Sequence, residues 1–145
     1  MPIDVSRMNS AIRNHFADWW AAAAPVDGLD EMPVARPEGG TEALHAGEFS
    51  VEVLPVWDRG QNEGTDDSPR FRGLGLIQVN VLGPRTGLGT IEQLCARVAQ
   101  WAAVAKKGQI PGLRVRTASP SLPLAAPAGM VAKHVDVDVL WLENA

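Results

Sequence analysis

Apolar residues recur at steps of three and four through Val5, Met8, Ile12, Phe16, Trp19 and Ala23. That is the stripe of one helical face. The spacing predicts a helix over roughly 4–24, with Asp4 or Ser6 accepting an early backbone N–H and Pro25 and Gly28 ending it. Trp20 falls beside the stripe, where it would flank the core or meet a neighbour. Residues 25–47 are rich in proline and glycine and read as a long irregular connection with a short extended piece near Met32–Arg36. The period then changes to two. Phe49, Val51 and Val53 alternate with Ser50, Glu52 and Leu54, as in a half-buried strand. Pro55 suits an edge or a bulge, and Trp57 prolongs the strand beyond it.

Residues 59–69 (R-G-Q-N-E-G-T-D-D-S-P) are polar, acidic and full of turn formers, the composition of a flexible tip between antiparallel strands. From Phe71 to Leu82 alternation returns. Phe71, Gly73, Gly75, Ile77, Val79 and Val81 share one face, and Gly73 and Gly75 allow a bulge or a close backbone approach. Gly83–Gly89 reads as a tight connection, and Thr90-Ile91-Glu92-Gln93 fits a capping box. The second helical stripe follows in Ile91, Leu94, Cys95, Val98, Trp101 and Ala102. Gly108 and Pro111 end it, with Lys106 and Lys107 near its negative dipole end. Leu113, Val115 and Thr117 mark a further strand, and residues 119–129 a Pro/Ala loop. The last strand runs from Met130 to Leu142, with Val131, Lys133, Val135, Val137, Val139 and Trp141 on one face. Helix, strands, helix, strands predicts an α+β fold: a mostly antiparallel sheet of about four to five strands with two main helices packed on one face. The 145 residues suit a single domain over 1–145.

Composition narrows the function classes. A net charge of -4 with no long basic stretch argues against nucleic acid as a dominant partner. The lone Cys95 excludes an intrachain disulfide and fits a reducing compartment. Met1-Pro2-Ile3-Asp4 does not read as a signal peptide, and no run of about 18 apolar residues suggests a membrane span. The expectation is a soluble chain made in the cytoplasm.

Candidate chemistry is sparse. Gly83–Gly89 stands between a strand and a helix, as a phosphate loop would, but it lacks the Gly-Lys-Ser/Thr ending and the dinucleotide glycine spacing. His134, Asp136 and Asp138 share a strand face, which admits a metal. Neighbouring same-face positions lie roughly 7 Å apart, however, so one ion would hardly reach both ends. Cys95 lies within a helical stripe and reads as a small buried hydrophobe. His15 and His45 have no visible acidic partner, and no G-x-S-x-G is present. These features predict no catalysis and no cofactor. Trp20 and Trp57 fit the core stripes least and are candidate interface anchors. Arg59, Asp66, Asp67, Arg70, Arg72 and Arg85 join them as interface candidates, in and around the polar tip and the glycine connection.

The order of elements resembles a known family. It is carried by M-N-S-A-I-R-N-H-F-A-D-W-W, E-F-S-V-E-V-L-P, F-R-G-L-G-L-I-Q-V-N-V-L-G-P, G-L-G-T-I-E-Q-L-C-A-R-V-A-Q-W, G-L-R-V-R and V-D-V-D-V-L-W. Together these look like the tail terminator proteins of long-tailed, siphovirus-like bacteriophages and related prophages, over most of the chain. The strand, G-x-G, helix core of that family is matched by Ile77–Val81, Gly87/Gly89 and Ile91–Trp101. The long 25–47 connection and the Pro-rich 119–129 loop depart from it. The resemblance implies a structural virion protein of the neck region, assembled in the host cytoplasm. Its subunits would form a ring, a hexamer in that family, that ends tail-tube polymerisation and offers a surface for head–tail joining. The implied partners are other copies of the chain, the tail tube protein and the head-completion or connector proteins. DNA would pass through the lumen without specific binding. Two other readings stand beside it: another phage neck, head–tail joining or tail-completion protein, and a small metal-dependent enzyme using His134, Asp136 and Asp138.

Overall fold

A computed structural model describes residues 5–36, 48–65, 68–120 and 129–144. Helix α1 spans Val5–Ala22 and helix α2 Leu88–Val104. The strands are β1 (Ala35–Arg36), β2 (Ser50–Thr65), β3 (Ser68–Pro84), β4 (Leu113–Pro120) and β5 (Met130–Asn144). They form one sheet in the order β1-β2-β3-β5-β4. Every pairing is antiparallel except that of the two-residue β1, which runs parallel to β2 at Val51 and Glu52. This is the expected α+β architecture.

Register explains the core. Val51, Val53 and Pro55 of β2 lie opposite Val81, Val79 and Ile77 of β3. Val79 and Ile77 in turn oppose Val135 and Val137 of β5. Leu113 and Val115 of β4 oppose Trp141 and Val139. A strand's period of two therefore stacks one apolar face across four strands. Both helices cover that face. Met8, Ile12, Phe16 and Trp20 of α1 and Ile91, Leu94, Val98 and Trp101 of α2 are buried with it in one cluster. Phe16 joins the helices, stacked on Trp20 and edge-on to Trp101, each at 5.1 Å between ring centroids.

Several sequence expectations change. The stripe of α1 steps strictly by four, so Trp20 is buried and Trp19 only partly so. The Trp20 indole N–H donates to the Pro33 carbonyl at 2.8 Å, which ties the helix end to the segment before β1. Of the polar stretch 59–69, residues 59–65 and 68–69 are strand, and Asp66 and Asp67 lie outside the described residues. The β2–β3 ladder continues to Thr65 opposite Ser68, with a bulge between Trp57 and Arg59. Turn-forming composition yields to cross-strand pairing there. The other two connections expected over 25–47 and 119–129 lie partly outside the described residues.

The capping box is replaced by a tertiary contact. α2 starts at Leu88, two residues ahead of Thr90, after a 3-10 turn over Arg85–Gly87. Thr90 Oγ1 donates to the Asp27 carbonyl at 3.3 Å, and Gln93 Oε1 accepts from the Asp27 N–H at 3.0 Å. The two side chains fasten the turn after α1 rather than their own helix. α2 passes into a π-turn over Ala105–Gln109, and Gly108 leaves the helix with φ +83°, a conformation that favours glycine.

Candidate functional site: the second sheet face and the two sheet edges

The glycine connection serves packing. A Cβ on Gly83 would lie 2.5 Å from the Phe49 ring, and one on Gly87 2.6 Å from it. The aromatic ring occupies the space that side chains would need, and this accounts for both glycines without a phosphate. Gly75 bears out its expected close approach, since a Cβ there would meet the Trp57 ring at 2.6 Å and the Val56 carbonyl at 2.7 Å.

The second sheet face carries no described helix or strand. Rows cross it strand by strand. Glu52, Asn80 and His134 make one row, Leu54, Gln78 and Asp136 the next, then Val56, Leu76 and Asp138, then Leu74 and Leu140, then Arg72 and Leu142. One half is a polar net. Gln78 donates to Asn80 at 3.0 Å, and Asn80 to the buried Glu52 at 3.2 Å. The other half is leucine-rich, and Val56 and Leu142 are 51% and 43% exposed.

His134, Asp136 and Asp138 lie on this face as expected, but only the first two meet. His134 Nδ1 and Asp136 Oδ1 are 2.7 Å apart, while Asp138 Oδ2 accepts from Thr117 of β4 at 3.0 Å. Among the described residues no three His, Cys, Asp or Glu side chains are grouped so as to hold a metal ion. Cys95 is partly buried. Burial pushes its thiol from 9.0 to about 11, with Lys133 pulling it down and Glu92 pushing it up. A thiol so protonated is a poor nucleophile at neutral pH.

The interface candidates separate. Trp20 is enclosed in the core and cannot serve as an anchor. Trp57 is half-buried on the helix side, donating to Asn9 Oδ1 at 2.7 Å and lying edge-on to Trp141. It is an internal brace rather than an anchor. Arg72 and Arg85 are exposed. The side chains of Arg59 and Arg70, and residues Asp66 and Asp67, lie outside the described part of the structure.

Two surfaces escaped sequence reasoning, and they lie at opposite sheet edges. Beyond β1, a groove of about 630 Å³ runs between α1 and residues 30–35, rimmed by Asp18, Asp30 and Glu31. Val34 beside it is 74% exposed. Beside β4, the seam with α2 is unfilled because Ala96, Ala99 and Ala103 of the helix face Ala118 of the strand. Two cavities of about 310 and 190 Å³ share Ala99 and Ala118. Lys106, Arg116 and Lys133 rim this seam, and Lys133 also pairs with Glu92 at 3.2 Å. The only sequence signal was an uneven scatter of charge, which has no meaning until strand order places the two segments on opposite edges.

No described helix is long and apolar enough to cross a membrane. Compared with known protein families and with curated proteins, the chain matches none.

Proposed function

We propose that this chain is a phage tail terminator: a structural subunit that assembles as a ring on the head-proximal end of the tail tube, stops its growth and presents the surface for head–tail joining. The observation that carries this reading is the arrangement behind the sequence resemblance. Helix, strand pair, glycine-bearing turn, helix and strand pair build one sheet whose helices occupy a single face. Among the described residues no helix or strand covers the other face, and Ser50, Glu52 and Ala132 at one end of it are buried while Val56 and Leu142 toward the other are exposed. A ring subunit needs heterologous contacts that close on themselves, and it needs no reacting group. The half-apolar sheet face and the edges suit that need. His134 and Asp136 pair with each other while Asp138 bonds Thr117, so the three do not form one ligand set.

Electron microscopy of particles assembled without this chain tests the proposal. The expected result is tails of uncontrolled length beside unjoined, filled heads. Tails of normal length without heads would move the protein to the joining step. Intact virions would overturn a structural role.

A further inference from the structure

We infer that neighbouring copies of the chain dock edge to edge, with the acidic β1 edge of one copy seated on the basic α2–β4 seam of the next. The inference rests on the ring reading and names its contact surfaces.

Strand order places β1 and β4 at opposite ends of the sheet. At the β1 end, Asp18, Asp30 and Glu31 are all exposed around Val34, the most exposed large hydrophobic side chain among the described residues. At the β4 end the seam has alanine walls and a rim of Lys106 and Arg116, with Lys133 paired to Glu92 at its other end. An apolar knob flanked by acids on one edge thus faces outward from the molecule opposite to an apolar-walled hollow flanked by bases. Complementary charge on two different surfaces of one chain favours head-to-tail association and disfavours like edges meeting. A knob and a hollow at different places give a heterologous contact, which propagates around a ring. The hollow is large enough for the aliphatic side chain, and Val34 presents apolar surface that water otherwise covers.

Paired cysteines test the contact. The full chain would carry Cys95→Ser, Val34→Cys and Ala99→Cys, be oxidised at high concentration and be run without reductant. Sedimentation velocity of the unmodified chain would follow association in parallel. The expected result is a ladder of covalent multimers. Reversing one edge with Asp30→Lys and Glu31→Lys, or the other with Lys106→Glu and Arg116→Glu, should weaken association about tenfold or more. Mixing the two reversed variants should restore it, because alternating copies then present opposite charges at every contact. Circular dichroism would check that each variant is folded, as expected for exposed sites. A chain that associates normally but gives no ladder, or a ladder indifferent to both reversals, overturns the edge assignment and leaves the ring reading standing. A chain that neither associates nor cross-links overturns the edge assignment too, and the ring reading then rests on the particle imaging.

Discussion

Gly83, Gly75 and Cys95 show how single positions acquire meaning from their neighbours. Gly83→Ala would push a methyl group into the Phe49 ring, which lies 2.5 Å from where that carbon would sit. The expected loss is about 1–3 kcal/mol of unfolding free energy, the range for overpacking. Chemical denaturation measures it, and Phe49→Leu in the same chain should recover part of the loss. Nothing in the local sequence separates this glycine from one in a flexible loop. Cys95 makes a different prediction. Its folded thiol titrates near 11 against an ordinary 9.0, so the folded state holds the proton more tightly than the unfolded chain. The stability this contributes is fully present below pH about 9 and is lost as pH rises toward 11. Denaturation midpoints should therefore fall across that window in the natural chain and fall less in Cys95→Ala. Alkylation of Cys95 at neutral pH should be slow until the chain is unfolded.

The same lesson holds for elements. Thr90 and Gln93 sit at the spacing of a capping box, yet they grip Asp27 from across the fold. Local geometry offered one set of partners, and the turn after α1 brought a better placed set. Thr90→Ala or Gln93→Ala should accordingly speed hydrogen exchange at the Asp27 amide while leaving protection at the start of α2 nearly unchanged. Each should cost about 1 kcal/mol or less, as for an exposed hydrogen bond. Loss of protection in α2 itself would instead mean that these side chains do cap their helix. Strand alternation was the most legible signal in the chain. Ile77, Val79 and Val81, and Val135, Val137 and Val139, all face the core as their period required. Residues 59–65 were not legible as strand, because their glycines and polar side chains carry no alternation. Their pairing with β3 follows a one-residue register shift at the bulge between Trp57 and Arg59 and runs to Thr65 opposite Ser68.

At the scale of the whole molecule the sheet has one side furnished with helices and a second that no described helix or strand covers. Both helices pack on the first through a shared aromatic cluster of Phe16, Trp20 and Trp101. The second keeps a polar net around Glu52 and a leucine-rich half near Val56 and Leu142. Among the described residues, Asp18, Asp30 and Glu31 stand beyond β1, while Lys106, Arg116 and the Lys133–Glu92 pair stand beside β4. Particle imaging and edge cross-linking belong to this scale, since assembly depends on surfaces that no one element owns.

By itself the sequence determined the two helices, the long strands, which face of each strand is apolar and hence the α+β class. These follow from periodicity, because a repeat of 3.6 or 2 residues places the same side chains on one face whatever lies beyond it. Tertiary structure alone decided that Trp20 rather than Trp19 enters the core, that Thr90 holds Asp27, that Gly83 yields to Phe49, and that Val34 and the α2–β4 seam stand at opposite edges. Each of those depends on groups far apart in the chain meeting at a particular distance, and no local pattern of residues carries that distance.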